Sequence, residues 1–95
     1  MMIKFKGSII EWRGPSPFYF VSLPVPSSKK IMVRASQLSY GWGVIPVLVK
    51  IGDSSFTTSL IPRGDVYYLP IKNAVRFAEN LDVGSEASVA ISFGS

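Results

Sequence analysis

From Ile3 to Trp12 apolar and polar positions alternate, with Ile3, Phe5, Gly7 and Ile9 on one side and Lys4, Lys6 and Ser8 on the other. A period of two is that of a strand with one buried face. Gly14-Pro15-Ser16-Pro17 then forces a turn, and Phe18-Tyr19-Phe20-Val21-Ser22-Leu23 is predicted as a second strand that pairs with the first. Trp12, Tyr40, Trp42 and the Phe18-Tyr19-Phe20 run raise the idea of base stacking. Phe18 and Phe20, however, share one face of that strand with no basic residue between them, so core filling is the expectation. Pro26-Ser27-Ser28 offers a helix start, after which Ile31, Ala35 and Leu38 recur at the spacing of one helical face. Ile31-Met32-Val33 also fits a strand, which leaves residues 28–39 open between the two.

Gly41-Trp42-Gly43 breaks whatever precedes it. Val44 to Ile51 and Phe56 to Ile61 read as strands joined by Gly52-Asp53-Ser54-Ser55, a second predicted hairpin. Past Pro62-Arg63-Gly64-Asp65, the short strand Val66-Tyr67-Tyr68-Leu69 runs into Pro70. Ala74, Val75, Ala78 and Leu81 form an apolar stripe while Lys72, Asn73, Arg76, Glu79 and Asn80 cover the other side, which predicts an amphipathic helix over residues 71–80. In the last strand Ala87, Val89, Ile91 and Phe93 alternate with Glu86, Ser88, Ala90 and Ser92.

An internal echo runs through these elements. Leu23-Pro24-Val25 precedes the first helix and Leu69-Pro70-Ile71 the second; each is followed by Val-Arg, a Leu, a glycine turn and a strand ending in glycine. A strand-helix-strand unit cannot bury its apolar sheet face alone. Two copies, about 18–52 and 66–94, are therefore expected to close into a small barrel with a pseudo-two-fold axis.

Composition agrees with a mainly β chain. Nineteen Ile and Val stand against six Leu, and β-branched side chains suit pleated strands. With 95 residues, 47% hydrophobic and 17% charged, the chain is predicted to fold as one domain over residues 1–95. There is no cysteine and no histidine, which removes disulfides, imidazole bases and the usual zinc ligand sets. Neither a signal peptide nor a spanning segment is recognisable, so a cytoplasmic location is expected, with no membrane partner. The net charge of +4 suits an anionic small molecule or a nucleic acid, although the ten basic residues are scattered along the chain.

Gly41-Trp42-Gly43-Val44-Ile45-Pro46-Val47, then Lys50-Ile51-Gly52, Thr58-Ser59-Leu60-Ile61-Pro62-Arg63, Tyr68-Leu69-Pro70-Ile71-Lys72 and Val75-Arg76 resemble, in order, the pattern of the domain-of-unknown-function family 1905. That resemblance covers nearly the whole chain and implies a double-split β-barrel of about six strands with two short helices. Members of that family are sometimes joined to a second domain associated with bacteriocin protection; here the barrel alone is expected. The family carries no established activity. The stretch Tyr67 to Arg76, followed by Leu81-Asp82-Val83-Gly84, is also similar to AbrB-like DNA-binding regulators, single halves that dimerise to complete a barrel.

The residues that could carry chemistry gather in the second half. Lys72 and Arg76 lie four apart on the predicted helix and could clamp a phosphate or carboxylate, unless Glu79, Asp65 or Asp82 neutralises them. Ser59, Arg63 and Tyr67 or Tyr68 converge on the turn leading to that helix. Ser59 lacks a motif that would place a base beside it. Trp42, between two glycines, either plugs a barrel end or meets a ligand. No carboxylate pair has a metal-ligand spacing, and no phosphate loop or dinucleotide fingerprint is present. The expectation is a non-catalytic binding module without metal or cofactor, a monomer or weak homodimer, whose ligand meets Trp42, Ser59, Arg63, Tyr67, Lys72 and Arg76. A DNA-binding regulator is the first alternative, and an enzyme built on Ser59, Arg63, Lys72 and Arg76 the second.

Overall fold

Residues 2–15, 18–35 and 44–93 are described by a computed structural model. In chain order the elements are β1 (Met2–Trp12), β2 (Phe18–Ser22), α1 (Val25–Met32), β3 (Ile45–Ile51), β4 (Ser54–Arg63), β5 (Val66–Ile71), α2 (Asn73–Ala78) and β6 (Glu86–Phe93). The strands pair throughout as antiparallel neighbours and close into a barrel of order β1-β2-β5-β4-β3-β6. Among the described residues closure leaves no free sheet edge, the usual route to strand-mediated aggregation. No helix among the described residues is long and apolar enough to cross a membrane.

Alternation decides which side chains enter the barrel. Ile45, Val47, Val49 and Ile51 point inward from β3, and Ala87, Val89, Ile91 and Phe93 from β6. Two glycine-first turns close the hairpins on either side of β4. Gly52 has φ 58° and Gly64 φ 62°, the positive value that the first central residue of a type II′ turn requires. The Glu79 carboxylate lies against Gly52, where a Cβ would displace it. That carboxylate accepts a 2.7 Å hydrogen bond from Ser54 Oγ, so the end of α2 is tied to the β3–β4 turn.

β1 and β4 are the long strands because each serves both sides of the barrel. Residues 2–8 of β1 pair with β6 and residues 9–12 with β2; β4 pairs with β3 through Leu60 and with β5 from Ile61. Gly7 sits where β1 passes from one partner to the other. A Cβ on it would lie 2.6 Å from Val21 Cγ1 and 2.9 Å from the Ser22 carbonyl oxygen, so only glycine allows this approach.

Exchanging β1 with β4, β2 with β5 and β3 with β6 leaves the ring order unchanged. The registers obey the same exchange. Phe5 faces Val89 as Phe56 faces Val49, and Gly7 faces Ala87 as Thr58 faces Val47. Val49 faces Ile91 as Ile51 faces Val89. On the pseudo-axis Val21 faces Leu69, both fully buried. The repeated unit is thus strand-strand-helix-strand, one strand longer at its start than the echo in the sequence. Pairing also aligns Leu23 with Ile71, two residues along from the Leu-Pro match, because Tyr19–Ile71 and Leu23–Tyr67 are the symmetric contacts.

Several expected bounds shift. Pro70 and Ile71 remain in β5, so α2 begins at Asn73 and is shorter than residues 71–80. Residues 25–32 are helical, which settles that part of the open segment; Leu38 and Trp42 lie outside the described residues. Phe18 and Phe20 do not fill the core. Val21 is the inward residue of β2, and the strand continues inward at Leu23, which puts both phenylalanines on the outer face.

Candidate functional site

The outward row of β1 ends in Ile10 and Trp12, that of β2 holds Phe18 and Phe20, and that of β5 holds Tyr68 and Pro70. These three strands are neighbours, so their outer side chains meet. Trp12 and Phe18 lie with ring centroids 6.0 Å apart, Phe18 and Phe20 6.5 Å, and Phe20 and Tyr68 5.8 Å. All three pairs are tilted, within the range of favourable aromatic contacts. With Glu11 of β1 and Ile61 and Arg63 of β4 they line a largely apolar cleft of about 520 Å³. Trp12 is 52% and Phe18 53% exposed. Exposed apolar rows of this extent are the kind of surface on which binding sites are found.

A second, polar cluster occupies the barrel mouth beside that cleft. The Tyr19 hydroxyl donates to Glu11 Oε2 at 2.9 Å, and Arg13 Nε donates to Glu11 Oε1 at 2.9 Å. These two donors, Arg13 first, hold the Glu11 carboxyl below its ordinary value, and the Arg76 charge adds to the effect. Arg76 lays its guanidinium on the Tyr19 ring, with Cζ 3.5 Å from the centroid. Its Nη1 donates to Asn73 Oδ1 at 3.3 Å, while its Nε is buried and has no hydrogen-bond partner among the described residues.

Of the residues expected from sequence, Arg63 lines the aromatic cleft. Lys72 is exposed and lines a smaller depression of about 310 Å³ with Tyr19, Thr58 and Asn73. Phe18 and Pro70 wall both hollows, so Arg63 and Lys72 stand on opposite sides of one ridge. Arg76 does not join Lys72 as a clamp; it is turned onto Tyr19, with Asn73 and Glu11 as its polar neighbours rather than Glu79. Tyr67 is buried at 3% exposure, and burial pushes its phenol pKa up. Tyr68, one residue on, supplies the ring that faces outward. Ser59 is half-buried on β4 opposite Pro46. Among the described residues no side-chain hydrogen bond ties Ser59 to a lysine or carboxylate, and no group of three His, Cys, Asp or Glu is placed to hold a metal.

Phe18 and Phe20 are the residues that sequence reasoning missed as surface groups. Ser22 carried the signal, since it shares their parity and marks that side of β2 as the outer one.

No curated protein matches this chain. The sequence profile of the domain of unknown function DUF1905 matches residues 5–91. That span holds most of every strand and both helices, and the chain belongs to the DUF1905 family.

Proposed function

We propose that the protein is a non-catalytic binding module whose ligand presents a planar apolar group to the aromatic cleft and an anionic group to Arg63. The observation that carries this reading is the row of four rings crossing β1, β2 and β5 on the outside of a barrel whose buried core is apolar. Stacking on such rings contributes about 1–3 kcal/mol per planar group, and the Arg63 guanidinium at the rim offers a planar fork for a phosphate or carboxylate. Lys72, which lines the depression across the Phe18–Pro70 ridge, supports a second anionic contact.

Titration of the isotope-labelled protein with 5′-AMP, followed by amide chemical shifts, tests the reading. Adenosine and inorganic phosphate serve as the two half-ligands. Shifts concentrated at Trp12, Phe18, Phe20, Arg63 and Tyr68, larger for 5′-AMP than for either half, are expected. Shifts confined to the surroundings of Arg76, or none at millimolar probe, would overturn it.

A further inference from the structure

β1 presents Lys4, Lys6, Ser8, Ile10 and Trp12 outward in one row. At about 3.3 Å per residue, Lys4 and Trp12 lie about 26 Å apart along the strand. The apolar end of the row enters the aromatic cleft. The basic end borders a trough of about 440 Å³ formed with β6 and β3. Lys4 faces Ala90 on β6, and Ala90 in turn faces Lys50 on β3; Lys6 faces Ser88. Small residues therefore form the floor and lysines the walls, with the two walls about 10 Å apart for strands about 4.8 Å from their neighbours. Among the described residues no carboxylate lines this trough.

The geometry points to single-stranded nucleic acid as the ligand, laid along β1 with bases on the rings and phosphates on Lys4, Lys6 and Lys50. This rests on the cleft being the binding face. A single strand is the polymer that repeats a flat apolar group and a negative charge on one backbone, and its unpaired bases all offer a π-face, so recognition is tolerant of sequence. A duplex would satisfy the lysines while hiding its bases from Trp12 and Phe18. Glu86, opposite Ser8 in the middle of the row, opposes the backbone at that point.

Fluorescence anisotropy of a labelled eight-residue oligothymidylate, with dTMP and a duplex of equal length as competitors, tests the inference. Three phosphate contacts on a single strand predict that Kd rises by about two decades for each decade of salt. The triple variant Lys4→Ala, Lys6→Ala, Lys50→Ala should weaken oligomer binding by about tenfold or more and flatten that slope, while leaving dTMP binding unchanged. The three positions are exposed, and an unchanged thermal melt confirms folding. Glu86→Ala should tighten oligomer binding severalfold. Equal affinity for oligomer and dTMP, a triple variant that binds like the parent, or a duplex that competes as well as the oligomer would each overturn the inference and leave the cleft reading standing. An oligomer that binds while dTMP fails, and that is indifferent to Trp12→Ala, would overturn the cleft reading and the inference with it.

Discussion

Tyr19 and Tyr67 hold equivalent places in the two halves of the barrel, and each is met by the helix of the opposite half. Around Tyr67 the environment is closed: the side chain is buried, and its backbone N–H donates to the Oγ of Ser28, itself fully buried on α1. Around Tyr19 it is open and polar, with Arg76 of α2 on the ring and Glu11 at the hydroxyl. Glu11 corresponds to Pro62 on β4, which has neither a charge nor a donor to offer. One topology used twice thus yields a sealed mouth where the helix brings a small hydroxyl and a charged mouth where it brings a guanidinium. The exposed rings adjoin the charged mouth, as Phe18 is next to Tyr19 and walls the depression into which Tyr19 opens.

The largest effect should come from the contact the halves share. Leu69→Ala removes a fully buried side chain at the pseudo-axis opposite Val21, and a loss of about 2–5 kcal/mol in urea unfolding is expected. A smaller value would mean that the axis is not the common core. Next comes the sealed mouth. Ser28→Ala leaves the buried Tyr67 N–H without its acceptor, for an expected cost of about 1–3 kcal/mol. At the charged mouth Arg76→Ala should cost less, about 0.5–2 kcal/mol, because the pair is partly solvated. Arg76→Lys should recover only part of that, an ammonium being unable to lie flat on the ring. A cost at Arg76 above that at Ser28 would reverse the contrast between the two ends.

The smallest effect is expected from pH. Glu11 has its carboxyl pKa lowered in the folded state, so its contribution is complete above the unfolded carboxylate value and is lost as pH falls through the lower folded value. Unfolding midpoints measured through the acid range should therefore fall less steeply for Glu11→Gln than for the parent, and parallel curves would remove Glu11 from the account.

Much of the barrel is legible in the sequence because one buried face imposes a strict alternation, as in β1, β3 and β6, and because Gly52 and Gly64 sit where the hairpins need positive φ. β2 is harder. Five of the six residues from Phe18 to Leu23 are apolar, so its parity rests on Ser22 alone, and the inward side is settled only by pairing with β5. The Leu-Pro echo finds the duplication and misses its register by two residues, since pairing and not local similarity sets the register. Lys72 and Arg76 have helical spacing in the sequence, yet Arg76 is drawn away by Tyr19, a residue 57 positions earlier that only the β2–β5 pairing brings near. Trp42 lies outside the described residues.

A binding face requires rings that serve a ligand rather than the fold. Urea unfolding of the double variant Trp12→Thr, Phe18→Ser tests this most directly, with Leu69→Ala as the core reference. If the rings are a binding face, the double variant should lie within about 1 kcal/mol of the parent, as exposed substitutions do. A loss of about 2–5 kcal/mol, matching a core deletion, would show that the outer row is structural and would contradict the account.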